Sequence, residues 1–212
     1  MRQVSWIVIG ILLAGAAEAA GQPAEPIGPY VVNVRGALAR FKAEAPVAEP
    51  LEVRIENLPT RGLGISGGAH WYPLRRGRVT LGVGAEVTLA RDSRTGEETT
   101  PGPPPVTVTT RFSTVSPQLS LNFGTDDGWS YISGGIGQAR LTTVRADLPA
   151  GESAARVRST NYGGGARWFT SPRLAFTFDV RFYTVNAREP TATRPGYPRS
   201  RFMVISAGIS VR

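Results

Sequence analysis

The chain contains no cysteine and a single histidine. The first absence removes disulfides and thiol chemistry, and the two together leave nothing from which a zinc site could be built. Beyond residues 6–16, no stretch approaches the ~18 uninterrupted apolar residues of a membrane-spanning helix. Mean hydropathy is −0.11, so the protein is either soluble or crosses a bilayer with strands, whose alternation hardly raises average hydropathy. A concentrated basic patch is also missing. The net charge is +8, yet the arginines fall mostly singly among Glu and Asp, so nucleic acid is not an expected partner. No G-x-x-x-x-G-K phosphate loop occurs, and no cofactor is expected.

What is present begins with an export signal. Met1-Arg2 gives a positive start, residues 6–16 an apolar core, and Ala17-Glu18-Ala19 a small-x-small cleavage site. Residues 1–19 are therefore read as a signal peptide cleaved before Ala20, residues 20–28 as a short leader, and residues 29–212 as one β-barrel domain.

Alternation dominates the rest. Val79, Leu81, Val83, Ala85, Val87 and Leu89 interleave with Thr80, Gly82, Gly84, Glu86, Thr88 and Ala90, a period-two pattern with one apolar face. Leu174, Phe176, Phe178, Val180 and Phe182 repeat it against Ala175, Thr177, Asp179, Arg181 and Tyr183. The pattern predicts strands over residues 29–41, 62–73, 79–91, 107–123, 129–144, 156–169, 174–186 and 200–212. Short turns (74–78, 124–128, 170–173) alternate with long polar or Pro-rich loops (42–61, 92–106, 145–155, 187–199). An even strand count with short turns on one rim and long loops on the other predicts an all-β, eight-stranded, antiparallel up-and-down transmembrane barrel.

Hairpin arithmetic tests that expectation. Centring a hairpin on Pro172 pairs Trp168 with Phe176, Ala166 with Phe178 and Gly164 with Val180, all on the apolar face. Centring on Asp126 pairs Phe123 with Trp129 and Leu121 with Tyr131; centring on Arg76 pairs Trp71 with Leu81 and Ala69 with Val83. The faces stay in phase, whereas a one-residue slip would mix them. On this register Trp71, Trp129 and Trp168 lie on the apolar face beside short turns, as an aromatic girdle at the membrane boundary. The glycines at 134, 135, 137 and 163–165 suit the tight curvature of a small barrel.

The opposite face collects Arg35, Glu86, Arg140, Arg167, Asp179 and Arg181, with Asn33, His70, Gln118, Ser120 and Asn122. Side chains fill a lumen of about eight strands, so these charges are expected to form a paired network, with Asp179 between Arg167 and Arg181. Gly64-Ile65-Ser66-Gly67-Gly68 matches the G-x-S-x-G pattern, but it lies in a strand rather than a strand-to-helix elbow. His70 stands four residues on, about 14 Å away at strand rise. No catalytic site is assigned.

The Gly-rich Ser133-Gly134-Gly135-Ile136-Gly137, the run Gly163-Gly164-Gly165-Ala166-Arg167-Trp168-Phe169, and Phe178-Asp179-Val180-Arg181-Phe182-Tyr183 resemble the outer-membrane β-barrel domain family of the OmpA, OmpX and opacity-protein type. The resemblance covers nearly all of the region after the signal. It implies outer-membrane localisation, outer-membrane lipid as surroundings, and insertion by the outer-membrane assembly machinery. The leading functional expectation is a non-enzymatic barrel presenting long loops for envelope integrity, adhesion or interaction with an extracellular ligand. Three others are a small pore or carrier for ions or apolar molecules, a lipid-modifying enzyme using Ser66 or His70, and a soluble periplasmic ligand-binding barrel.

Overall fold

The computed structural model describes residues 27–96, 105–125, 127–148, 155–189 and 196–212. The expected signal, residues 1–19, and most of the leader lie outside them. Eight antiparallel strands follow in chain order: β1 (Tyr30–Arg40), β2 (Arg61–Arg76), β3 (Val79–Thr95), β4 (Thr107–Thr125), β5 (Gly128–Arg145), β6 (Val157–Phe169), β7 (Leu174–Val185) and β8 (Ser200–Val211). Each pairs with its neighbours in sequence, and β8 closes onto β1 from Val32–Val211 to Arg40–Met203. Closure removes both sheet edges.

Burial alternates as the sequence does. On β1, Val31, Asn33, Arg35, Ala37 and Ala39 are buried, whereas Tyr30, Val32 and Val34 are exposed. On β3, Thr80, Glu86 and Thr88 are buried, and Val79, Val83, Val87 and Leu89 are exposed. The exposed face is thus the apolar one and the enclosed face carries the charges. A water-soluble barrel has the opposite arrangement, and this one is stable only when hydrocarbon wets its outside.

Three hairpins set the register, and two differ from the expected pairing. The β6–β7 hairpin is centred on Pro172, with Trp168 opposite Phe176, Gly165 opposite Asp179 and Gly163 opposite Arg181. At β4–β5 the innermost pair is Thr125–Gly128, so the centre falls between residues 126 and 127 rather than on Asp126. Phe123 therefore faces Ser130 and Leu121 faces Ile132; the pairings of Phe123 with Trp129 and Leu121 with Tyr131 are wrong by one residue. A two-residue connection is the favoured hairpin turn, and it inverts both faces of β5 relative to the expectation.

The β2–β3 hairpin also turns on two residues, with Gly77 at φ +60° and Arg76 opposite Val79. A bulge between Trp71 and Leu74 then restores even parity, leaving Trp71 opposite Val83 and Ala69 opposite Ala85, in place of the expected Leu81 and Val83. The bulge holds Pro73, which has no N–H to offer the ladder. The two shifts preserve the face of every β2 residue up to Trp71. In β4, Pro117 pairs with Ala85 of β3, while the β4–β5 ladder is interrupted between Val115–Gln138 and Leu119–Gly134.

Inward glycines make the tight curvature possible. The Tyr72 ring occupies the space a Cβ would take at Gly82, the His70 ring does so at Gly84, and the Tyr131 hydroxyl at Gly165. A Cβ on Gly165 would also overlap the carbonyl oxygen of Phe178. Gly165→Ala is expected to lower stability by about 3 kcal/mol, at the upper end of overpacking costs. Gly36 faces outward with the nearest atom 3.8 Å from its added Cβ, so Gly36→Ala is expected to gain about 0.5–1 kcal/mol from the stiffer chain. Urea titration of folding in micelles, read by heat-modifiable gel migration, measures both signs.

Candidate functional site: a filled lumen

Three layers of side chains fill the barrel from the turn rim to the loop rim. At the turn rim Ile27, Val31, Tyr72, Trp129 and Tyr131 are buried together, with Phe169 packed against them. Trp129 stacks on Phe169 with ring centroids 5.1 Å apart and meets Tyr72 edge-on at 6.0 Å. Ile27 belongs to the expected leader, yet the chain just before β1 tucks it into this layer.

The middle layer is a closed ring of two cations and two anions. The Arg181 Nη2 donates to Asp179 Oδ2 at 3.0 Å and to Ser133 Oγ at 2.7 Å, and its Nη1 donates to Gln118 Oε1 at 2.9 Å and Asn161 Oδ1 at 2.8 Å. Its Nε stands 3.4 Å from Glu86 Oε1. On the other side of both acids, Arg35 Nη2 lies 2.9 Å from Glu86 Oε2 and Nη1 3.4 Å from Asp179 Oδ2. The Tyr131 hydroxyl donates to Asp179 Oδ2 at 2.9 Å and accepts from Arg35 at 3.3 Å. Charge is balanced within the ring, the condition under which buried ions are tolerated.

Arg167 stands apart from that ring. Its guanidinium carbon lies 4.4 Å from the Tyr131 ring centroid and 5.8 Å from that of Trp129, and its Nη1 donates to the Tyr72 hydroxyl at 3.2 Å. The aromatic layer therefore houses this cation by cation–π contact. Asp179 sits between Arg181 and Arg35, not between Arg181 and Arg167 as expected.

The loop-side layer is apolar, which the expectation of a polar lumen missed. Phe41, Phe112, Leu141, Tyr183, Phe202 and Val204 pack across the barrel, with Phe112 4.7 Å from Phe202 and 5.2 Å from Tyr183 between centroids. Above it, residues 42–60 fold into a short helix α1 (Ala45–Ala48) and two 3₁₀ turns, Glu49–Leu51 and Ile55–Asn57. Val47, Ala48, Leu51 and Leu58 are buried there against Val108 of β4. Arg145 Nη1 clips this cap by donating to the Leu51 carbonyl at 2.8 Å. The Arg145 hydrogen bond in turn holds the exposed Asp147 carboxyl below its usual range.

Of the residues expected in the lumen, Arg35, Glu86, Arg167, Asp179 and Arg181 are enclosed and all 4% exposed or less. Arg140 is not among them. It lies between buried Ala139 and Leu141 and shares the outer face of β5 with exposed Ile132 and Ile136. The expected girdle is corrected in the same way: Trp71 and Trp168 face outward at 60% and 52% exposure, but Trp129 is 3% exposed and points into the lumen. The single slip at the β4–β5 turn exchanges Trp129 and Arg140. Tyr131, Ser133 and Asn161 are part of the inner network that the sequence reading did not assign; the parity of Ile132 and Ile136 was the available signal for the first two, and the shared parity with Arg167 for Asn161. Ser66 Oγ lies 2.9 Å from Thr88 Oγ1, which lies 3.1 Å from the Tyr183 hydroxyl. His70 is enclosed further toward the turn rim.

An apolar exterior, a closed antiparallel sheet and an internally neutralised charge layer define a small transmembrane β-barrel. The outer membrane protein beta-barrel domain family matches residues 7–212; the chain belongs to that family and is an outer-membrane protein. Among solved structures, Neisserial surface protein A agrees on the fold: it is 12% identical with a TM-score of 0.54, over 86% of this chain and 96% of that one. The Yersinia pestis attachment invasion locus protein Ail is 14% identical with a TM-score of 0.49, over 87% of this chain and 99% of that one. The Escherichia coli outer membrane protease OmpT is 8% identical with a TM-score of 0.46, over 91% and 99%. No curated protein matches the sequence.

Proposed function

We propose that this barrel is a non-enzymatic, non-conducting scaffold that presents its long loops at the cell surface for envelope integrity, adhesion or interaction. One observation carries the reading: the lumen is filled by an aromatic layer, a neutralised ion ring and an apolar layer, and residues 42–60 cap the loop-side mouth. With these layers filling the lumen among the described residues, the surface left to act on the surroundings is the loops and the outer wall. Ser66 supports the non-enzymatic part, because the residue is 1% exposed and its hydroxyl is bonded to that of Thr88, out of reach of a lipid substrate.

Planar-bilayer recording tests the proposal. The wild-type protein is expected to give no discrete current steps at moderate voltage, whereas a small open barrel gives stepwise conductance. Reproducible single-channel steps from a homogeneous preparation would replace the scaffold reading with a pore. A loss of surface binding when the connections 96–106 or 187–199 are shortened, with the barrel still heat-modifiable, would support it.

A further inference from the structure

Register brings to one level arginines that look scattered in the sequence. On the outer face, the first charged residue beyond the apolar run at the loop end is Arg40 on β1, Arg61 on β2, Arg91 on β3 and Arg111 on β4. Arg140, Arg158 and Arg201 take the same place on β5, β6 and β8. Arg40 is directly opposite Arg61, and Arg91 directly opposite Arg111, where like charges destabilise a sheet. None of the seven makes an ion pair among the described residues. Strand β7 alone breaks the ring, placing Thr184 opposite Arg201.

At that break the outer wall is hollowed. A groove of about 320 Å³ is lined by Arg40, Lys42 and Arg201 and by the outward-facing Tyr162, Phe182 and Met203 of β6, β7 and β8, with the inward-facing Tyr183 and Phe202 behind them. Tyr162 and Phe182 stack at 5.4 Å, which gives the groove a flat apolar surface. No carboxylate lines it. Three unneutralised cations above an apolar trough that faces the bilayer match one chemistry: an anionic headgroup carried on acyl chains.

We propose that this groove is a seat for one phosphate-bearing lipid of the loop-side leaflet, its phosphate held by Arg40, Lys42 and Arg201 and an acyl chain lying along Tyr162, Phe182 and Met203. The test uses the full-length barrel in phosphatidylcholine vesicles, alone, with bisphosphorylated lipid A, with the same glycolipid stripped of its phosphates, and with inorganic phosphate. The phosphorylated lipid is expected to raise the unfolding midpoint by on the order of 5 °C, and the other additions by much less. R40Q/R201Q is expected to lose most of that rise, whereas R91Q/R111Q, across the ring, keeps most of it. Native mass spectrometry of the wild-type protein supplies a readout that needs no variant: the phosphorylated lipid should remain bound in preference to the stripped one. Equal shifts with the stripped lipid or with inorganic phosphate would overturn the lipid-phosphate assignment. Equal losses in the two double variants would overturn the groove, leaving only a diffuse electrostatic attraction.

Discussion

Replacing Arg181 with methionine is expected to destabilise the barrel by about 3–5 kcal/mol, the cost of removing one partner from a buried ion pair. Arg181 is the hub of the middle layer, with Asp179, Glu86, Gln118, Asn161 and Ser133 all within 3.4 Å of its guanidinium. Without it two carboxylates share the single cation of Arg35, and one buried negative charge is left over. Methionine fills most of the volume, so the loss reports on charge and hydrogen bonding rather than on a cavity. Adding Asp179→Asn to Arg181→Met is expected to recover a large part of it, because Glu86 then balances Arg35 and net charge returns to zero. Urea midpoints of the two variants and of Asp179→Asn alone form the cycle. A single variant within about 0.5 kcal/mol of wild type, the range of an ordinary surface substitution, would show that water enters the layer and solvates the acids.

The strands were legible because a transmembrane barrel strand meets two opposite solvents, lipid and lumen, so alternation survives along nearly its whole length. Val79 to Leu89 and Leu174 to Phe182 show this directly. The β6–β7 hairpin was legible for the same reason, since Trp168, Phe176, Phe178 and Val180 lie on one side and Arg167, Asp179 and Arg181 on the other. At β5 the argument failed because the turn-side half is apolar on both faces: Trp129 and Tyr131 fill the lumen while Ile132 faces lipid. Where alternation is silent, register rests on turn chemistry, and the two-residue connection at 126–127 decides it.

The inner layering and the outer arginine ring were hidden for a different reason. Phe41, Phe112, Leu141 and Phe202 come from strands spread over most of the chain, and the same is true of Arg40, Arg91, Arg140 and Arg201. Neither set forms a local cluster in sequence. The ladder register around the closed sheet brings these residues to a common height although the strands run from 11 to 19 residues, so a residue's register position carries the information that local charge density does not.

The corrected place of Trp129 predicts a large contrast between tryptophans. Trp129→Ala is expected to cost about 3–5 kcal/mol, the range for emptying a buried aromatic site. The change removes the ring stacked on Phe169 and edge-on to Tyr72 and uncovers one side of the Arg167 guanidinium. Trp71→Ala is expected to cost about 1 kcal/mol, because Trp71 is 60% exposed and loses chiefly contact with the membrane boundary. Single-tryptophan proteins in vesicles of brominated lipid give the matching spectroscopic contrast, with Trp71 and Trp168 strongly quenched and Trp129 spared. Equal quenching of all three, together with equal stability losses, would mean that β5 has slipped back by one residue. That slip would turn Tyr131 out of the lumen with Trp129, so the hydroxyl bonded to Asp179 and the rings over Arg167 would be lost in one movement. The stability of the charged layer therefore depends on a two-residue turn at the far rim.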